Sequence, residues 1–263
     1  MPQFTEIVSE LEKQFPKRLQ EDYDNAGIQV FTGEENITQC LVTLDVTEEV
    51  VDEAVSLGCN LIVSHHPVIF GRGLMSITPE SEAGKIVLKA VKNSVSIYSA
   101  HTNADSMPSG TVGAMFEKLG ITDFKMLKPL ENEHFECGAG GIGNLSEAEE
   151  TESFLRRVKS TFGCGAIRYT EILKPEVKKI AICPGSGSFL LKEAIKHGAD
   201  VFLSGDFTYH RFFEAEKKIL IADLGHFETE NAIKYVFKRV LQKKFTNFAV
   251  KISNINTNPI KYL

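Results

Sequence analysis

The sequence predicts an α/β protein, on three observations. Strand-like and helix-like stretches alternate along its 263 residues, the pattern of a sheet covered by helices. Three strand-like segments end in histidine. Leu61-Ile62-Val63-Ser64 runs into His65 and His66, Ser96-Ile97-Tyr98-Ser99 into His101, and Leu220-Ile221-Ala222-Asp223 into His226. The second half of the chain also replays the first.

The N-terminal stretch Met1 to Phe15 reads as an amphipathic helix, with Phe4, Ile7, Val8, Leu11 and Phe15 on one stripe. It lacks the apolar run of a signal peptide. Gln39 to Leu44 is an apolar strand. Thr47 is a helix cap with Glu48 and Glu49 in the first turn, Val50, Val51, Ala54 and Val55 are the buried stripe, and Gly58 is the stop. Leu61 to Val63 is a strand. Thr78-Pro79 opens a helix that buries Ile86, Val87, Ala90 and Val91. Val95 to Ser99 is a strand, and Thr111 to Leu119 a helix closed by Gly120. Later, Lys179 to Cys183 is a strand. Phe189, Leu190, Leu191, Ala194 and Ile195 lie on a helix that stops at Gly198. Val201 to Leu203 is a strand. A last helix starts near Phe227 and carries Ile233, Val236, Phe237, Val240 and Leu241 at helical spacing.

The replay is arithmetic. A shift of 140 carries Glu53-Ala54 onto Glu193-Ala194, Gly58 onto Gly198 and Ser64 onto Ser204; a shift of 125 carries His101 onto His226 and Asp105 onto Glu230. This points to duplication of one α/β unit, although any two βαβ units share some of that punctuation. His65-His66 falls on Gly205-Asp206, so the ligand residues are not duplicated in full. The Gly-rich stretch Gly138 to Gly143 is the candidate boundary between lobes, which are expected at 1–125 and 126–263.

A hydrophobic content of 43% suffices for a core, and the net charge of −6 disfavours non-specific nucleic-acid binding. Cys40, Cys59, Cys137, Cys164 and Cys183 are scattered and form no C-x-x-C pair. That suits buried free thiols in a reducing, cytoplasmic setting. No apolar run is long enough to span a bilayer.

A strand that ends in His, with a carboxylate about one helical turn on, aims nitrogen and oxygen at a common point. His226 and Glu230 have this spacing, as do His101 and Asp105. Each pair alone is as readily an ordinary His–carboxylate hydrogen bond. Together with His65-His66 they point to metal, and the lack of any thiolate argues against a closed structural zinc site. Imidazole and carboxylate suit zinc, manganese, iron, cobalt or nickel. Gly185-Ser186-Gly187-Ser188 is either a tight βα turn or an anion-binding turn. It is neither a Walker loop nor a G-x-G-x-x-G motif. Asp24-Asn25-Ala26-Gly27 is a turn signal or a substrate loop. His210 follows Ser204-Gly205-Asp206 at a strand end, where ligands bind in α/β sheets. His134 and His197 read as surface histidines.

Ser64-His65-His66-Pro67, Ala100-His101-Thr102-Asn103-Ala104-Asp105, Ser204-Gly205-Asp206 through Tyr209-His210, and Gly225-His226 through Glu230 resemble the signatures of the Nif-three-like family. Its members are also called dinuclear metal centre hexameric proteins, or homologues of a type-two GTP cyclohydrolase one. The likeness covers nearly the whole chain, which looks like the short form without an inserted domain.

The resemblance implies two similar α/β/α lobes with mixed sheets and a dinuclear metal site between them. It implies two divalent cations per chain, held by His65, His66, Asp105, His226 and Glu230, with His101 against the site. It also implies a homohexamer, a trimer of dimers with the sites facing an inner cavity. Gly141 and Asn144 depart from the Arg and Glu that relatives often carry there.

Open positions on two cations would hold water at a lowered pKa, suited to hydrolysis. His101 or His210 would move protons. This fits opening of the imidazole ring of GTP, and equally phosphoester or amide hydrolysis. The alternative is a non-catalytic metal-binding scaffold or ligand sensor.

Overall fold

The computed structural model describes residues 1–71, 73–131 and 134–263. The chain divides into two compact units: residues 1–104 with 233–258, and residues 105–232 with 259–263.

The first unit opens with helix α1 (Phe4–Gln14), followed by strands β1 (Gly27–Val30) and β2 (Gln39–Thr43), helix α2 (Glu48–Ser56), strand β3 (Leu61–Ser64), helix α3 (Glu82–Lys92), strand β4 (Ser96–Ser99) and the short helix α4 (Thr102–Asp105). Thr47 caps α2 as expected, its hydroxyl accepting from Val50 N at 3.3 Å. Helix α3 starts later than Thr78-Pro79 predicts. Ser81 is its cap and accepts from Gly84 N. A side chain at Gly84 would sit 2.1 Å from the Thr78 carbonyl. Val55 and Val91, read as buried, are exposed.

The second unit contains α5 (Thr111–Leu119), β5 (Phe124–Pro129), β6 (Gly138–Glu150), α6 (Thr151–Phe162), β7 (Arg168–Tyr169), β8 (Glu176–Ile182), α7 (Leu191–Lys196), β9 (Val201–Ser204), α8 (Tyr209–Phe213), β10 (Leu220–Asp223) and α9 (His226–Glu230). The expected helix from Phe189 begins instead as a 3₁₀ turn, Ser188–Leu190, with Phe189 exposed. The chain then returns to the first unit with α10 (Ile233–Lys244) and β11 (Ala249–Ile252). The long final helix is therefore two helices, α9 and α10.

Both sheets are mixed. The first runs β1-β4-β3-β2-β11 and the second β5-β6-β8-β9-β10-β7. Each contains three parallel strands in chain order, β2-β3-β4 and β8-β9-β10. Each also adds an antiparallel strand beyond the third, β1 on β4 and β7 on β10. The shared frame matches the sequence replay. Strands β3, β4, β9 and β10 are buried at every position, as befits parallel strands covered on both faces.

The division differs from 1–125 and 126–263 for two reasons. Val112, Met115, Phe116 and Leu119 of α5 belong to the core of the second unit. The chain after Ala232 packs on the first: α10 lies against α1, and β11 pairs in parallel with β2. The Phe15 and Phe237 rings meet edge-on at 5.6 Å. Gly138 to Gly143 is not a boundary but part of β6. A Cβ on Gly141 would lie 2.4 Å from Phe116 Cε2 and 2.8 Å from Val112 Cγ1. This strand needs glycine so that α5 can approach it closely, and an Arg there would not fit. Asn144 is exposed on the same strand.

Candidate metal centre

In the first unit, β2, β3 and β4 end level, with Thr43, Ser64 and Ser99 side by side. The residues that follow therefore emerge together at the carboxyl edge, where α/β sheets bind ligands. After β3 the chain turns sharply, and the amides of His65 and His66 both donate to the carbonyl of Leu44, at 3.1 and 3.0 Å. The two adjacent rings thus lie side by side, centroids 5.0 Å apart. His101, after β4, meets them edge-on at 5.2 and 5.3 Å. Ring nitrogens of the three come within 4.8 Å of one another.

Each ring is held through Nδ1 by an oxygen. His65 Nδ1 donates to the Ala100 carbonyl at 2.8 Å, His66 Nδ1 pairs with Asp45 Oδ1 at 2.6 Å, and His101 Nδ1 pairs with Asp24 Oδ1 at 2.7 Å. Carbonyls and ionised carboxylates only accept, so Nδ1 is the nitrogen that donates in each ring. For His65 and His66, the two candidate ligands of the three, this is how protein scaffolds orient metal-binding histidines. Asp45 is steadied in turn by the Thr257 hydroxyl. Burial pushes the Asp24 carboxyl up, but hydrogen bonds from His101 and Thr102 outweigh it and hold the group at about 2.

In the second unit the same edge carries carboxylates. Ser204 and Asp223 end β9 and β10 level. His226 opens α9, and Glu230 lies one turn on, nearly buried, with Oε2 3.0 Å from His226 Nε2. The other ring nitrogen, Nδ1, lies 2.7 Å from Asp206 Oδ2, which also accepts from Ser186 Oγ. Burial alone would lower the His226 imidazole; the flanking Asp206 and Glu230 reverse this and raise it to about 11. Asp105 offers an oxygen within 4.8 Å of Glu230 and accepts from the Thr111 hydroxyl. Burial, then the charges of Asp105 and Glu230, push the Cys183 thiol up.

Two carboxylates, Asp206 and Glu230, flank one imidazole, and with Asp105 beside Glu230 they make a donor set of net negative charge. That chemistry fits a divalent cation, and oxygen with nitrogen suits first-row metals. No thiol joins any of these clusters among the described residues.

The Gly185–Ser188 turn lies against Glu230. A Cβ on Gly185, whose φ is +58°, would sit 2.2 Å from Glu230 Oε1. Its amides are used inside the protein, Gly185 N donating to Thr229 Oγ1 and Gly187 N to Ser204 Oγ. His210 is exposed on α8 beside Tyr209 and joins none of the clusters among the described residues. His134 and His197 are exposed, as the sequence predicts, and all five cysteines are buried free thiols.

Sequence reasoning missed the supporting carboxylate Asp45, and the roles of Asp24 and Asp206. Asp45 stands just past the end of β2, at the same edge as the histidines, and that position was the available signal.

Fold and clusters together define a class: a mixed α/β protein carrying strand-end histidine and carboxylate sets. Comparison with known proteins makes the class specific. The model of the Duf34/NIF3 (NGG1p interacting factor 3) family matches residues 2–259, and the chain belongs to that family. It is 36% identical over 228 residues to the GTP cyclohydrolase 1 type 2 homolog of Clostridium perfringens, covering 86% of each chain. It is 35% identical over 263 residues to the protein of the same name from Lactococcus lactis, covering 97% of each. The crystal structure of a Bacillus cereus protein related to NIF3 superimposes with a TM-score of 0.92 at 26% identity, covering 100% of this chain and 99% of that one. No helix among the described residues is long and apolar enough to cross a membrane.

Proposed function

We propose that the protein is a dinuclear metal-dependent hydrolase acting on a nucleotide, with opening of the GTP imidazole ring as the first candidate reaction. One observation carries the reading. Four imidazoles, His65, His66, His101 and His226, each have Nδ1 held by an oxygen acceptor. The name carried by relatives, GTP cyclohydrolase 1 type 2 homolog, supports the substrate class.

His65, His66, Asp105, His226 and Glu230 would hold two divalent cations, drawn from zinc, iron, manganese or cobalt, with Glu230 offering its two oxygens. Cations bound there supply Lewis acidity and activate water near neutral pH. His101 takes the proton from the attacking water at Nε2 as the water oxygen bonds to the ring carbon. The ring C–N bond then breaks, and the same nitrogen returns the proton to the departing nitrogen. His210 is the alternative proton carrier, and Gly185, Ser186, Gly187 and Ser188 remain the candidate contact for a phosphate. A cytoplasmic homohexamer, a trimer of dimers, completes the reading.

Metal analysis of purified protein should give about two ions per chain, and a nucleotide panel with each metal should reveal turnover. Light scattering should give six times the 29.2 kDa chain mass. Loaded protein that turns over no nucleotide with any of the four metals would make the non-catalytic scaffold the better reading. A monomer in solution would remove the hexamer.

A further inference from the structure

We propose that Asp24 is a positioning residue that fixes His101 as the Nδ1–H tautomer and so leaves Nε2 as its proton acceptor. The inference deepens the hydrolase reading and rests on it only for its kinetic consequence.

Asp24 belongs to the Asp24-Asn25-Ala26-Gly27 turn before β1, which the sequence reads as a turn signal or a substrate loop. Its side chain is 0% exposed. A buried carboxylate is costly unless its oxygens are satisfied, and here four donors satisfy it. Oδ1 accepts from Asn25 N at 2.7 Å and from His101 Nδ1 at 2.7 Å; Oδ2 accepts from Thr102 N at 3.0 Å and Thr102 Oγ1 at 2.5 Å.

A merely structural Asp would cap α4 through Thr102 and need no imidazole. The contact with His101 is therefore extra to the cap. The backbone of His101 is pinned separately. Its amide donates to Asn103 Oδ1 at 2.9 Å, and Asn103 Nδ2 donates to the Phe15 carbonyl at 2.7 Å. Backbone and ring are thus fixed independently, which leaves the ring one tautomer and one orientation. A neighbouring ring makes the contrast: His65 Nδ1 is held by a neutral carbonyl. A buried anion holds the proton on Nδ1 more firmly than a neutral carbonyl does, because a charged acceptor makes the stronger hydrogen bond. Asp24 itself does not take the proton.

The test is ¹⁵N NMR of histidine rings in the full, zinc-loaded chain, with the His101 signals assigned by their loss in His101→Asn. Wild type should show His101 as the Nδ1–H tautomer, and Asp24→Asn should shift it towards Nε2–H. Bound metal should stay the same in Asp24→Asn, while turnover per bound metal falls on the order of 10²–10⁴-fold. An Nε2–H tautomer in wild type overturns the proposal, whether or not the variant folds. So does a folded Asp24→Asn protein with wild-type tautomer and turnover. If wild type holds the Nδ1–H tautomer but hydrolyses no nucleotide, the hydrolase reading fails and the positioning of His101 stands.

Discussion

The carboxyl edges of the two sheets are built on one frame and carry opposite chemistry. Past β3 stand His65 and His66; at the matching positions past β9 stand Gly205 and Asp206. Past β2 stands Asp45, which steadies His66; its counterpart is Gly185, where any Cβ would strike Glu230. The first edge presents three imidazoles, two of them backed by carboxylates. The second presents carboxylates around one imidazole. The strand frame tolerates exchange of the residues just beyond it, because those residues lie outside the ladder and are constrained only by what they touch. A site can therefore diverge between copies while the sheet that carries it stays the same.

Four measurements sharpen or break this comparison, from the largest effect to the smallest. Glu230→Gln should abolish turnover and strip metal, since it removes the buried anion of the second edge; elemental analysis that finds full occupancy would end its role as a ligand. Next, Asp45→Ala and Asp206→Ala should each weaken metal binding by about 10–100-fold, as loss of a supporting carboxylate does. Calorimetric titration checks this. If only one variant loses affinity, the two edges are not equivalent supports.

The third concerns acid. Burial pushes the Asp200 carboxyl up, but Lys174 and the amides of Lys179 and Lys178 outweigh it and set the group below its ordinary value. Its unfolded value is ~3.9, so the stabilisation is present above about pH 4 and is lost as pH falls through the lower folded value. Asp200→Asn should flatten the acid limb of thermal stability in the second unit, with no change near pH 7 in slope. An unchanged acid limb would show that these contacts contribute nothing. The smallest effect is in the first unit, where Thr47→Ala should cost about 1 kcal/mol by removing the cap of α2, read by urea denaturation.

Much of this was legible in the sequence. The strands from Gln39, Leu61, Ser96, Val201 and Leu220, the Thr47 cap and the Gly120 stop all follow from local pattern. So do the strand-end positions of His65, His66, His101 and His226, because a strand end fixes where its next side chains emerge, whereas the full ligand set follows only from the family resemblance. Other features were less legible. Ser81 rather than Thr78-Pro79 begins α3, its hydroxyl capping the Gly84 amide, a choice between two neighbouring start signals. The Gly138–Gly143 stretch resembles a linker by composition, yet it is strand, and its Gly141 serves the approach of α5. Asp24 orients His101 across 77 residues of sequence, and no periodicity reports such a contact.

The return of α10 and β11 to the first unit also bears on how the protein is made. Strand β11 completes one edge of that sheet by pairing with β2, and Phe237 of α10 closes over Phe15. A nascent chain reaches these residues only after the entire sheet of the second unit has been synthesised. On a ribosome, the unit that begins later in the sequence is therefore the first with all its strands available. The N-terminal segment waits, with its apolar stripe of Phe4, Ile7 and Leu11 in need of shelter, until the last helix emerges. Domains that fold as units during synthesis usually do so N-terminal first. Here the chain path inverts the order in which the two sheets are completed: the second has all its strands before the first receives β11.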